Sequence, residues 1–180
     1  MAEAPLLRLD NVAKCFKGAR GGAPSVLALD GVSLTLMPGR LLGLVGPDAA
    51  GKTTLMRIMA GLVEPDRGTV EVLGGPVSAL DRARVGYMPQ NGALYAELSV
   101  RQNLELYARL RGVEPRENPE RMEQLYRLTG LAAFQDRPVG QLSGGMRQKL
   151  ALACAVVAAP PLLLLDEPSV GVDPVSRREI

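Results

Sequence analysis

Gly46-Pro47-Asp48-Ala49-Ala50-Gly51-Lys52-Thr53 fits the spacing G-x-x-x-x-G-K-[ST]. At the chain's own glycine, lysine, serine and threonine frequencies, about 0.003 such matches are expected by chance. The chemistry this spacing serves is polyphosphate binding. Successive backbone N–H groups surround a β-phosphate, and the N-terminus of the following helix adds positive partial charge. Lys52 would reach the β- and γ-phosphates as a point charge, and the Thr53 hydroxyl would ligate Mg2+. Thr54 continues the same helix start and joins the nucleotide-contacting set. The bland alternative is a glycine-rich turn carrying a surface lysine.

A second cluster is Leu162-Leu163-Leu164-Leu165-Asp166-Glu167, two carboxylates directly after an apolar run. Asp166 suits a Mg2+ contact through water. Glu167 suits a general base that polarises an attacking water. Alone, the pair reads equally as a strand ending in solvated charges; beside the phosphate loop the chemical reading is favoured.

These groups need elements to hold them. Leu41–Val45 is a continuous apolar run, the pattern of a strand buried on both faces, and it leads into the loop. A helix is expected from about Gly51 to Ala60, ended by Gly61. Leu6–Leu9, Val26–Leu29 and Val32–Leu36 alternate as half-buried antiparallel strands do, with a loop over Gly18–Pro24. Gly68–Leu73 and Arg84–Met88 are further strands. Helical periodicity covers Leu98–Leu128, interrupted near Gly112–Pro119, and Ser143–Ala158. Leu162–Leu165 is a last buried strand. The order gives an α/β chain with an inserted helical lobe.

Composition limits the alternatives. Of 180 residues, 47% are apolar and 22% charged, which suits a globular core and not a disordered tail. A net charge of +2 offers no broad electrostatic footprint for nucleic acid. The longest uncharged run, Leu150–Leu165, is broken by Pro160-Pro161 and falls short of the roughly 20 residues of a bilayer span. No secretory signal is evident at the N-terminus. Two distant cysteines, Cys15 and Cys154, suggest reduced thiols in a cytosolic protein. There is no histidine.

Leu142-Ser143-Gly144-Gly145-Met146-Arg147-Gln148 matches L-S-G-G-x-x-Q and precedes the acidic strand. On these motifs the chain resembles the ATP-binding subunits of ABC transporters over nearly its whole length. The resemblance implies a P-loop NTPase core with an N-terminal antiparallel β-subdomain and an inserted α-helical subdomain. It divides residues 1–180 into a β-subdomain and core at 1–92 and 146–180 and a helical subdomain at 93–145. It implies ATP and Mg2+ as cofactors, with Gly46, Pro47, Asp48, Ala49, Ala50, Gly51, Lys52, Thr53 and Thr54 around the nucleotide. Phe16 would stack on adenine, or else pack as a strand aromatic. Gln90 would sense Mg2+ and the attacking water, or else be a solvated loop amide. Glu167 is the implied catalytic base, and Thr53, Gln90 and Asp166 are the implied metal contacts. Asp173, in Val170-Gly171-Val172-Asp173, would act across a dimer interface, or else sit in a surface Asp-Pro turn. Two such domains pair head to tail, so Ser143, Gly144 and Gly145 would meet the γ-phosphate held by the opposite subunit.

The segments Leu94–Leu104 and Tyr107–Gly112 look like the drug and polysaccharide exporter branch. The implied function is ATP hydrolysis powering export by a transmembrane permease subunit. The second ATP-binding domain is a homodimer mate or a fused tandem copy, no nucleic acid is expected, and the location is the cytoplasmic face of the membrane. A soluble ABC ATPase acting on ribosomes or DNA, and a non-catalytic nucleotide-gated module, are the alternatives.

Three departures from the family pattern are visible. Asp48 and Ala49 stand where Asn and Gly are usual, and alanine at a left-handed position costs roughly 1 kcal/mol. Ser169 replaces a threonine. The chain ends at Ile180 without the family's later strands and switch histidine, so an incomplete domain with weak hydrolysis and a tendency to aggregate is expected.

Overall fold

The computed structural model describes residues 4–17, 24–90 and 92–168. The chain forms two compact units, Met1–Arg82 and Ala83–Ile180.

In the first unit, β1 (Leu7–Phe16), β2 (Val26–Leu36), β3 (Arg67–Val72) and β4 (Gly75–Pro76) form an antiparallel sheet in the order β2-β1-β3-β4. Alternation sets the buried face: Leu7 and Leu9 pair with Leu36 and Leu34 on one side and with Val72 and Val70 on the other. The two short strands expected over 26–36 are one strand whose pairing to β1 shifts register. The irregularity centres on Asn11, at φ 51°, and on Gly68, where a Cβ would fall 2.4 Å from the Asn11 carbonyl oxygen. Only glycine admits that approach. Helix α1 (Lys52–Met59) packs Leu55, Ile58 and Met59 against this sheet, and Gly61 at φ 68° ends it.

The Leu41–Val45 run departs from expectation. Among the described residues it has no ladder partner and takes no strand conformation, with Leu41 97% and Val45 98% exposed. An apolar run specifies that a segment prefers to be covered; only a neighbouring strand makes it part of a sheet.

In the second unit, β5 (Val85–Met88) and β6 (Leu162–Leu165) pair in parallel, from Val85 opposite Leu162 to Met88 opposite Leu165. Three helices carry the core: α2 (Val100–Leu110), α3 (Pro119–Thr129) and α4 (Gly144–Val156). Val100, Leu104 and Ala108 meet Leu125, Tyr126, Leu150 and Cys154 there. Local chemistry sets the helix ends. Ser99 and Gln102 form a reciprocal capping box, Pro119 opens α3, Gly130 at φ 68° closes it, and Ser143 caps α4. Arg121 donates to the carbonyls of Val156 and Val157 at 2.6 and 3.2 Å, satisfying acceptors that a helix C-terminus leaves open. Burial raises the Cys154 thiol, so it acts as an inert core group.

Candidate functional site

Residues 46–51 form a loop that leads into the first turn of α1. Gly51 is the N-cap of α1 at φ 87°, and a Cβ there would lie 2.3 Å from the Ala28 carbonyl oxygen. The backbone therefore turns against β2 in a way only glycine permits. Lys52 Nζ donates to the carbonyls of Gly46 at 2.9 Å and Pro47 at 2.8 Å, drawing the ammonium across the loop. The loop curls, with Ala50 N–H donating to Pro47 at 3.3 Å. The first turn of α1 has no acidic residue to compete with an anion, and Thr53 and Thr54 are half-buried in that turn. A glycine-forced close approach, a helix N-terminus and a lysine folded over its own loop make a fitting cradle for a triphosphate. Asp48 is exposed on the loop.

Ala49 takes φ 61°, the left-handed position at which its side chain was expected to be strained. Replacing it with glycine relieves about 1 kcal/mol of strain and loses part of that to the freer unfolded chain. We expect Ala49→Gly to raise unfolding stability by about 0.5 kcal/mol in urea titrations at constant slope. A stability loss of about 1 kcal/mol would show that residue 49 is not left-handed in solution.

Phe16 ends β1 opposite Val26 and is 42% exposed. Lys14 Nζ lies 5.6 Å from its ring centroid and is itself bonded to Asp66 at 2.9 Å. Asp66 also accepts the Cys15 N–H at 2.7 Å. That backbone bond, and then Lys14, hold its carboxyl below the ordinary range. Lys14 and Asp66 stand 52 positions apart, and no spacing pattern pointed to this support.

In the second unit, parallel pairing delivers the acidic pair. Asp166 N–H continues the β5–β6 ladder by donating to Met88 O at 2.9 Å, and Asp166 as a whole is only 2% exposed. Glu167 then turns into the left-handed region at φ 53°, uncommon for a non-glycine residue and the sort of strain that gathers at functional sites. Its Oε2 accepts a hydrogen bond from Gln90 Nε2 at 2.8 Å, across 77 positions of sequence. Gln90 is exposed and bonds directly to the acidic strand end. A buried carboxylate at a strand tip and a hydroxyl at a helix N-terminus are hard oxygen ligands. Among the described residues no group of three or more Asp, Glu, Cys or His converges. Within its own unit, each of the two offers the kind of oxygen donor that Mg2+ prefers, and Mg2+ is commonly held by only one or two side chains together with substrate phosphates.

Ser143 caps α4 by accepting the Met146 N–H at 3.2 Å, and Arg147 Nη1 braces the preceding turn on Leu142 O at 2.5 Å. Gly144 and Gly145 are half-buried in the first turn. Asp173 and Ser169 lie outside the described residues.

Residues 29–170 match the family model described as ABC transporter. The chain is 48% identical over 178 residues to "Probable multidrug ABC transporter ATP-binding protein YbhF" of Escherichia coli (strain K12), covering 97% of this chain and 30% of that protein. It is 41% identical over 177 residues to "Nod factor export ATP-binding protein I" of Sinorhizobium fredii (strain NBRC 101917 / NGR234), covering 97% of this chain and 50% of that one. It is 42% identical to "Daunorubicin resistance ATP-binding protein DrrA3" of Streptomyces coeruleorubidus, over 85% of this chain and 49% of that one. The chain thus spans from under a third to about half of these curated relatives. Among solved structures, the dimeric post-hydrolysis ATP-binding cassette MJ0796 bound to ADP and Pi superposes with a TM-score of 0.85 at 26% identity. That superposition covers 97% of this chain and 79% of the other.

Proposed function

The chain belongs to the ABC transporter family, and from that premise we propose that it binds Mg-ATP and hydrolyses it to drive a membrane-spanning partner subunit. The observation that carries the reading is the loop at residues 46–53, closed by Lys52 on the carbonyls of Gly46 and Pro47 at the N-terminus of α1. In the proposed mechanism the loop N–H groups hold the β-phosphate, Lys52 exchanges its carbonyl partners for phosphate oxygens, and Phe16 stacks on the adenine. Mg2+, when bound, neutralises phosphate charge; Thr53, Asp166 and Gln90 are the residues that would hold it. Glu167 takes a proton from the attacking water, which Gln90 orients.

A head-to-tail pair of cassettes is the proposed working unit, with Ser143, Gly144 and Gly145 closing the partner's site and Asp173 acting across the interface. Residues 93–145 are the proposed helical subdomain, and 1–92 with 146–180 the β-subdomain and core. Export is favoured over import by the printed names of the Nod factor and daunorubicin relatives. No helix of the described residues is long and apolar enough to cross a membrane, which suits peripheral attachment through a permease on the cytoplasmic face. The test is calorimetric titration with ATP, with and without Mg2+, together with phosphate release. Saturable Mg-dependent binding with turnover is the expected result. Absence of ATP binding would overturn the reading.

A further inference from the structure

Three side chains of α2 lie on one stripe, four residues apart: Asn103, Tyr107 and the C-cap residue Arg111. Asn103 and Tyr107 bond to the backbone of the segment between β5 and α2, and Arg111 to the backbone of β5. Asn103, fully buried, accepts the Tyr95 N–H at 2.9 Å and donates to the carbonyls of Tyr95, Leu98 and Ser99 at 3.0, 3.3 and 3.1 Å. Tyr107 Oη donates to Ala93 O. Arg111 Nη1 donates to Val85 O at 2.6 Å, at the start of β5. Gln90 lies between the last two anchors, and its side chain reaches Glu167.

The cavity beside Tyr87, Tyr107, Arg111 and Cys154 is about 20 Å³, room for a water and no ligand. These polar groups therefore serve the fold of the segment and not a binding pocket. Burial pushes the Tyr107 phenol up to about 12, so it remains a protonated donor through the neutral range.

We propose that Asn103, Tyr107 and Arg111 are positioning residues that splint residues 85–90 and 92–99 against α2 and so set where Gln90 meets Glu167. The inference rests on the reading that Gln90 and Glu167 handle the attacking water.

The test uses Tyr107→Phe, which removes one hydroxyl and keeps the ring, and the pair Arg111→Met and Arg111→Lys. Two readouts are taken on the whole chain. In the nucleotide-free protein, hydrogen exchange of the Gln90 side-chain amide is followed by NMR, with the signal assigned by Gln90→Ala. One lost hydrogen bond is worth a factor of about five, so Tyr107→Phe and Arg111→Met should speed this exchange about fivefold. Arg111→Lys, which still carries a donor, should recover part of the loss, while a cooperative melt lowered by only a few degrees shows that the helical core of each variant remains folded. In the turnover assay, kcat should fall about fivefold with KM for ATP unchanged, because the phosphate loop is untouched.

Unchanged Gln90 exchange overturns the positioning role. Faster exchange with unchanged kcat overturns the link to catalysis. If the wild-type chain neither binds nor hydrolyses ATP, the functional reading fails separately, and the nucleotide-free measurement still decides the positioning.

Discussion

Lys52→Ala is expected to weaken Mg-ATP binding by about 100-fold to 1000-fold while the chain keeps its fold. A charge-assisted hydrogen bond contributes about 1.5–3 kcal/mol, and a lysine spanning two phosphates makes more than one. In the free protein the same ammonium bonds to the carbonyls of Gly46 and Pro47, on an exposed loop. Its loss costs little folding energy there, because the anchoring of α1 comes from Leu55, Ile58 and Met59, which the substitution does not touch. Calorimetric titration of both proteins, with thermal melts as the folding control, separates the two effects. Equal affinities would show that the loop is not the nucleotide site.

Glu167→Gln is expected to cut turnover by about 100-fold to 10,000-fold with ATP affinity retained, the range associated with removing a general base. The amide is nearly isosteric with the carboxylate and its oxygen still accepts a bond from Gln90 Nε2, so the 2.8 Å contact survives while the proton acceptor is lost. With hydrolysis blocked, an ATP-bound pair of cassettes should accumulate and elute at twice the mass on size exclusion. Asp166→Asn should behave differently, since it removes a buried carboxylate at the strand tip. Its defect should appear as a loss of Mg2+ dependence in ATP binding. Turnover of Glu167→Gln within tenfold of the wild type, from a species that stays monomeric, would mean that the metal-contact and base roles are wrongly assigned.

Much of this site was readable before any coordinates because its chemistry is local in sequence. A glycine at the N-cap of α1, a lysine next to it and a hydroxyl after that act within one turn, so their spacing carries the meaning. The strain at Ala49 follows from the same locality, since a left-handed residue within the loop disfavours any side chain. The start of α4 at Ser143 was legible for a related reason, whereas the caps at Ser99 and Gly130, equally local in their chemistry, were passed over inside the broad helical pattern.

The tertiary structure decided what depends on a distant partner. Leu41–Val45 has the composition of a buried strand, yet a strand is defined by its ladder neighbours, and no residue within the run supplies one. Asn11 and Gly68 carried no sequence sign of the irregularity they form, because it arises from two strands whose pairing is fixed elsewhere in the sheet. The contact of Gln90 with Glu167 needed parallel pairing of β5 with β6 to bring residues 77 positions apart within 2.8 Å. Asn103, Tyr107 and Arg111 read in sequence as parts of an amphipathic helix and become a splint once their acceptors are known to be carbonyls of the preceding segment. Residue type and spacing determined the donors and the conformations one turn can hold, whereas their acceptors across the chain were set by packing, because hydrogen bonds and ladders need a second group that sequence neighbours do not provide.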